Sequence, residues 1–159
     1  MNGIVRRSLA GAAMVVLIGC ALSASAQDKE AAVKERQATM KRQGADLKYI
    51  ADFAKGLAGD EAGAIDKAKD LLAIDPRILD LFVSGTSSAD FPGKSNAKPE
   101  IWSDWDKFKA IPPVLQAAEM KLVDAVTGGD KAAIGAAIGG VGKNGCGACH
   151  SAFREKLPQ

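Results

Sequence analysis

Apolar residues recur with helical spacing along most of this chain, and no segment shows the apolar-polar alternation of a half-buried strand. The first helical segment covers about residues 30–57, and some of its apolar residues are spaced by seven: Val33, Met40, Leu47 and Ala54. Gly59 is placed to end this helix, and Asp60 can cap a second one that continues to about Ala73. The sequence therefore predicts an all-α fold that begins with an antiparallel helix hairpin.

The next part of the chain predicts a long connection followed by a third helix. Residues 75–101 are rich in Ser, Gly, Asp, Asn and Pro, which favours a crossover loop with one helical turn near residues 78–82. Ser103 is a candidate N-cap for a helix that reaches about Val126. We expect Pro112 and Pro113 to kink this helix or to restart it.

A fourth helix is expected to close the fold. Gly128 and Gly129 end the third helix, and Asp130 can cap a helix that carries apolar residues toward the C-terminal end. This last segment is rich in glycine, which weakens a helix by roughly 1 kcal/mol per residue relative to Ala. We therefore expect it to pack closely against a neighbour. The predicted architecture is an antiparallel four-helix bundle whose core can house a cofactor.

Near the C-terminal end lies a C-x-x-C-H run that consists of Cys146, Cys149 and the chain's only histidine, His150. This pattern is typical of c-type haem attachment. Two thiols three residues apart can bond two vinyl groups on one edge of the porphyrin, and the adjoining imidazole can ligate the iron. We expect one covalently bound haem c per chain, held by both cysteines, with His150 as its proximal iron ligand.

Other roles for these cysteines are less consistent with the rest of the sequence. A thioredoxin-like site requires a βαβ setting, and no strand-like segment precedes the motif. A zinc site requires four ligands, whereas this chain offers one cysteine pair and one histidine. A structural disulfide, or a haem-free exported protein that uses Cys146 and Cys149 for thiol exchange, stays as an alternative.

The N-terminal segment predicts export. Arg6 and Arg7 precede an apolar stretch, residues 9–22, and a small-residue site, Ala24-Ser25-Ala26, follows it. We therefore interpret residues 1–26 as a cleaved signal peptide and residues 27–159 as one periplasmic domain. The apolar stretch is short for a membrane span.

Cys20 and the charge balance bear on where the protein resides and what it binds. Leu17-Ile18-Gly19-Cys20 resembles a lipoprotein cleavage site, which gives membrane anchoring through Cys20 as a minor alternative.

Without residues 1–26 the chain has 19 basic and 19 acidic residues, since only two arginines are removed. No basic stripe with interleaved aromatic residues is present, which argues against a nucleic-acid partner.

At this point the sequence resembles a known family, the cytochromes c′ or class II c-type cytochromes, in which the haem motif lies at the C-terminal end. Three segments carry the resemblance: Arg36-Gln37, Lys98-Pro99-Glu100-Ile101-Trp102, and residues 141–154. Together they cover nearly all of the chain after residue 26. The resemblance implies a four-helix bundle in which Cys146 and Cys149 form the thioethers and His150 ligates the iron.

The resemblance also implies further residues near the haem. Arg154 corresponds to a basic residue on the proximal side, and it lies four residues beyond His150 and therefore on the same helical face. Arg36 and Gln37 correspond to positions that contact the haem propionates. For Arg154 the alternative is a solvated charge at a helix C-terminus, and for Arg36 and Gln37 it is a solvated helix face.

The sixth coordination position of the iron divides the family. Typical cytochromes c′ leave it empty, and an apolar side chain of the first helix lies over the iron, so that the ferrous haem can bind nitric oxide or carbon monoxide. A smaller branch, the low-spin cytochrome c-556 type, places a methionine there. Alignment by Arg36 and Gln37 puts Met40 at this position, ahead of Met120, and thioether ligation favours reversible electron transfer.

The interpretation favoured by the sequence is a periplasmic electron carrier with a six-coordinate His150/Met40 haem iron, not an enzyme. Its partners would be periplasmic or membrane-bound redox proteins. The alternative is a five-coordinate cytochrome c′ that binds nitric oxide or carbon monoxide, with Met40 as ordinary core packing. The resemblance adds the homodimer that is common in the family.

Overall fold

The computed structural model describes residues 18–156, the first ten of them as backbone only, and this part of the chain is helical without a β-strand. The predicted all-α four-helix bundle is confirmed. The helices are α1 (Ile18–Ala54), α2 (Glu61–Ile74), α3 (Glu100–Ser103), α4 (Trp105–Lys109), α5 (Ile111–Thr127), α6 (Lys131–Gly140) and α7 (Ala148–Phe153). A π-helical segment, Val141–Gly147, joins α6 to α7, and two 3-10 turns follow α2: Asp75–Arg77 and Leu79–Leu81.

The turn between α1 and α2 differs slightly from the prediction. We expected α1 to reach Leu57 and to end at Gly59, but it ends at Ala54, and Gly56 already has a positive φ of 69°. The left-handed conformation stops the helix there, because glycine adopts it without a steric penalty. Asp60 is confirmed as the N-cap of α2, since its side chain accepts a hydrogen bond from the Gly63 N–H at 2.7 Å.

The start of the third bundle helix was predicted wrongly. Ser103 does not cap a long helix but ends the short α3, and α4 and α5 then follow as separate helices. The long helix starts at Ile111, with Pro112 and Pro113 in its first turn. Prolines are tolerated there because the first-turn N–H groups have no intrahelical acceptor. The prolines therefore restart the helix rather than kink it.

The fourth bundle helix begins as predicted but changes its winding before the cysteines. The Asp130 side chain accepts hydrogen bonds from the N–H groups of Ala132 and Ala133 at 2.8 and 3.2 Å. From Val141 to Gly147 the backbone is π-helical, which was not predicted. Such segments are rare and often lie at functional sites.

Glycine allows the π-helical segment to approach its neighbours closely. A Cβ atom at Gly145 would overlap the side chain of Leu115 on α5, and one at Gly147 would lie 2.7 Å from the carbonyl oxygen of Gly142. Gly145 therefore lets this segment pack tightly against α5, and Gly147 allows the close approach to Gly142 within the π-helical winding.

Two apolar clusters support the bundle. The larger one joins α1, α2, α5 and α6, and its fully buried members are Ile50, Ala64, Ala68, Leu122, Val126 and Ile134. The smaller one contains Phe108 and Phe153, whose rings meet edge to face with centroids 5.2 Å apart. Because Phe153 ends α7, this cluster fixes the C-terminal helix against α4.

The predicted leader, residues 1–26, lies partly outside the described residues. Its described part, from Ile18 onward, is helical and continuous with the rest of α1. Cleavage after Ala26 stays a prediction, as does the alternative of lipid attachment at Cys20. Within residues 18–156, none of the helices combines the length and the apolar character needed to span a membrane.

Candidate haem-binding site

A cavity of about 490 Å³ lies between α1, α5 and the C-terminal helix. The three residues of the C-x-x-C-H motif, Cys146, Cys149 and His150, all line it. Met40 lines it from α1, together with apolar side chains from several elements: Leu47, Leu71, Ile78, Ile101, Leu115 and Phe153. A mostly apolar pocket with a few polar groups is typical of a cofactor site.

Both cysteines are free, half-buried thiols. Burial raises the pKa of Cys149 to about 11, and burial together with the nearby carboxyl of Glu119 raises the pKa of Cys146. Thiol exchange proceeds through the thiolate, so these cysteines are poorly suited to it at neutral pH. The geometry therefore disfavours the haem-free thiol-exchange alternative.

His150 is half-buried at the cavity, one residue beyond Cys149 in α7. Burial, followed by the positive charge of Arg154, lowers the pKa of its imidazole. Both effects favour the neutral ring, which is the form that binds a metal. The side chain is therefore suited to its predicted role as an iron ligand.

Arg154 reaches the cavity by a different route from the one expected. Helix α7 ends at Phe153, so Arg154 does not continue the helical face of His150 but adopts an extended conformation and forms a backbone bridge with Ala97. Its side chain is exposed and lines the cavity edge. Arg154 lies close enough to His150 for its charge to lower the pKa of the imidazole, but it does not share the helical face of His150. Its place near the haem stays a prediction.

Arg36 is buried, with 5% of its surface exposed, so the solvated alternative does not hold for it. Its guanidinium donates four hydrogen bonds of 2.9–3.2 Å to residues of the crossover loop: Leu81 O, Thr86 Oγ1, Thr86 O and Ser95 Oγ. It also lies over the ring of Phe82, 5.0 Å from the centroid. No local pattern in the sequence predicts this link between α1 and the loop.

Arg36 also lines the cavity, and no carboxylate in residues 28–156 pairs with it. Burial lowers its pKa to about 10, which still leaves it positively charged at neutral pH. A buried cation is normally paired, so an anionic group in the cavity would complete its environment. Gln37, by contrast, is exposed, and its side-chain amide donates to the Lys94 carbonyl at 2.5 Å at the cavity edge.

The two methionines after residue 27 have different environments. Met40 is half-buried, lines the cavity and packs against the larger apolar cluster. Met120 is 55% exposed and is absent from the cavity wall. The preference for Met40 over Met120 as the methionine near the iron agrees with this geometry. One turn beyond Met40, the exposed Gly44 also lines the cavity.

Sequence reasoning missed a buried polar residue of the cavity, Glu119. It lies on α5, is 1% exposed, and comes four residues after Leu115 in the buried face of that helix. A carboxylate at an apolar helix position was the available signal. Asp75, which is 4% exposed in the turn after α2, is its neighbour.

The described residues fit a covalently attached haem. The cavity has two thiols three residues apart, an adjoining neutral imidazole, apolar walls, and a buried arginine whose charge is not balanced by a carboxylate. These groups match the vinyl groups, iron, porphyrin plane and propionates, respectively. The donor set therefore agrees with the sequence motif.

Comparison with known proteins gives a consistent result. The sequence profile described as Cytochrome C' matches residues 31–154. A cytochrome c′ of Pararhodospirillum photometricum is 33% identical over 126 residues, which are 79% of this chain and 98% of that protein. A cytochrome c-556 of Agrobacterium fabrum is 30% identical over 143 residues, 89% of this chain and 92% of that protein.

The fold is also similar to solved structures. A ferrous variant of cytochrome c′ from Alcaligenes xylosoxidans with bound NO superposes with a TM-score of 0.69 and 32% identity, and the match covers 81% of this chain and 97% of that chain. Because the chain matches both a cytochrome c′ and a cytochrome c-556, the comparisons do not confirm the Met-ligated c-556 subtype. The chain belongs to the cytochrome c′ family and, as a member of it, carries one covalently attached c-type haem.

Proposed function

We propose that this protein binds a diatomic gas, nitric oxide or carbon monoxide, at a haem iron whose only protein ligand is His150. The observation that carries the proposal is the position of Met40, which lines the cavity from α1 but packs against the larger apolar cluster. The Alcaligenes xylosoxidans relative with bound NO supports it. The five-coordinate alternative is thereby preferred to the six-coordinate His150/Met40 site that the sequence alone favoured.

The residues of the motif and Arg36 each have a defined task in this proposal. Cys146 and Cys149 hold the haem through thioethers, and the neutral imidazole of His150 ligates the iron from α7. When bound, the haem supplies an iron that takes up a diatomic ligand in its ferrous state. Arg36 balances the negative charge of the propionates while it keeps the crossover loop in place.

Met40 acts as part of an apolar wall. Its side chain and that of Leu47 on the same helix line the cavity without presenting a charged or hydrogen-bonding group. A small apolar gas can enter such a space, whereas charged species are disfavoured by the loss of hydration. The low polarity and small size of diatomic gases would therefore favour them over charged species.

A second candidate function is single-electron transfer with Met40 as a permanent ligand. The cytochrome c-556 relative and the position of Met40 in the cavity wall favour it. In either case we propose that residues 1–26 direct export to the periplasm, where the protein acts as a binding or carrier protein and not as an enzyme. Redox proteins are its proposed electron partners, and a homodimer stays a prediction.

Gas binding to the reduced holoprotein and two methionine variants tests the proposal. We expect the wild type to bind carbon monoxide, Met40→Ala to bind it several-fold faster because the wall is smaller, and the exposed Met120→Ala to match the wild type. Absorbance changes after rapid mixing measure the rates. Binding in Met40→Ala but not in the wild type would contradict the proposal and assign Met40 as a ligand.

A further inference from the structure

Two buried carboxyl groups, Asp75 and Glu119, have no role in the proposed gas binding. They are 4% and 1% exposed. Among residues 28–156, no N–H or hydroxyl group donates a hydrogen bond to either oxygen of Asp75 or to Oε2 of Glu119. Buried polar groups are nearly always hydrogen-bonded, so this arrangement calls for an explanation.

A shared proton provides that explanation. Two carboxylates offer only acceptors to each other, whereas a protonated carboxyl can donate to its neighbour. Two such groups in a shared, poorly solvated site cannot both be ionised without a large penalty. Burial, followed by hydrogen bonding with Asp75 and repulsion by its charge, raises the pKa of Glu119 to about 9, and burial raises that of Asp75.

The surroundings contain no group that would neutralise the pair in another way. No lysine or arginine in residues 28–156 forms an ion pair with either carboxyl. No titratable group of α2, α4 or α6 shifts the pKa of Glu119. The π-helical segment contributes Cys146, which becomes a thioether when the haem is attached. Other titratable groups at the same cavity are Arg36 and Lys41 from α1, and His150 and Arg154.

The pair lies where the charge of the iron would act on it. Glu119 lines the same cavity as the haem motif, and its carboxyl influences the pKa of Cys146. Charges in such a poorly solvated interior interact more strongly than they do in water. A change of one unit in the charge of the iron would therefore alter the proton affinity of the pair.

We propose that Asp75 and Glu119 form a proton-binding site that is coupled to the oxidation state of the haem. When an external one-electron donor reduces ferric iron to ferrous iron, the pair takes up a proton from solvent, so that one O–H bond forms and the added negative charge is balanced. Oxidation of the iron returns the electron to an acceptor and the proton to solvent. The inference depends on the attached haem and not on gas binding.

The pH dependence of the midpoint potential of the gas-free holoprotein tests this inference. We expect the wild-type potential to fall as pH rises, with a slope that approaches one proton per electron within the range in which the pair titrates. Glu119→Gln and Asp75→Asn should each flatten that part of the curve. The exposed Asp66→Asn on α2 is the matched control and should keep the wild-type profile. Superimposable wild-type and Glu119→Gln profiles would overturn the inference.

A second measurement on the wild type covers the case in which the carboxyl variants do not fold. Reduced-minus-oxidised infrared difference spectra report protonated carboxyl groups through their C=O stretch, which shifts in heavy water. We expect a band of this kind to change on reduction. A spectrum without any redox-dependent change in protonated carboxyl groups would refute the coupling, even if the ferrous protein binds carbon monoxide.

Discussion

At the scale of single residues, Arg36 connects the cavity to the long crossover loop. Its guanidinium donates to Leu81, Thr86 and Ser95, all of which lie between α2 and α3. The loop lacks long helices of its own, so these buried hydrogen bonds are a main source of its fixed position. The sequence predicted that Arg36 lies near the haem, but not that it organises the loop, because acceptors 45–59 residues away leave no local pattern.

Replacement of Arg36 by Met should destabilise the holoprotein by about 3 kcal/mol, because it leaves buried acceptors unsatisfied. Denaturant titration of the holoprotein measures this change in the free energy of unfolding. Arg42→Met is the control, since Arg42 pairs with Asp70 at the surface, with a side chain that is 60% exposed. Its loss should cost under about 1 kcal/mol. Equal effects of the two substitutions would contradict the role assigned to Arg36.

At the scale of helices, the π-helical segment sets the approach of the haem motif to α5. Spacing and caps predicted the helix that begins at Asp130, as well as the break at Pro112 and Pro113. They did not predict the π-helical winding or the close approach of Gly145 to Leu115, because a contact between two helices leaves no pattern in the local sequence. Ser103 was predicted as an N-cap from local chemistry alone, but in the structure it is the last residue of the short helix α3.

A methyl group at Gly145 should destabilise the protein. Gly145→Ala places Cβ against Leu115, and overpacking of this kind typically costs about 1–3 kcal/mol. The matched control is Gly139→Ala in α6, where a Cβ atom meets no other atom within 4 Å. This control should gain up to about 1 kcal/mol through helix propensity. Thermal unfolding of both holoproteins measures the difference, and a gain of stability in Gly145→Ala would show that the close contact is unimportant.

At the scale of the whole molecule, the bundle surrounds a cavity that contains more charge than its apolar composition suggests. The all-α architecture was predictable because the helical spacing of apolar residues, the N-cap residues and the glycines at helix ends all indicate helices. The cofactor was predictable because the C-x-x-C-H motif is local. The buried Asp75–Glu119 pair was not, since its two members come from separate elements and meet only in the folded chain.

This pair makes the stability of the whole protein depend on pH. Between the usual pKa of 4.5 and the folded value of about 9, Glu119 keeps its proton in the folded state and loses it in the unfolded chain. The folded state therefore binds more protons, and the free energy of unfolding falls as pH rises through this interval. Denaturant titrations at about pH 5, 7 and 9 should show the fall in the wild type and a smaller one in Glu119→Gln. An equal fall in both proteins would exclude Glu119 as its source.

The central claim is that His150 is the only protein ligand of the iron and that the other coordination position is free for a gas. The visible absorption spectrum of the reduced holoprotein, before any gas is added, tests it most directly. We predict the broad bands of a five-coordinate high-spin ferrous haem. Sharp low-spin bands, converted to the broad form by Met40→Ala but not by Met120→Ala, would contradict the claim and identify Met40 as the sixth ligand.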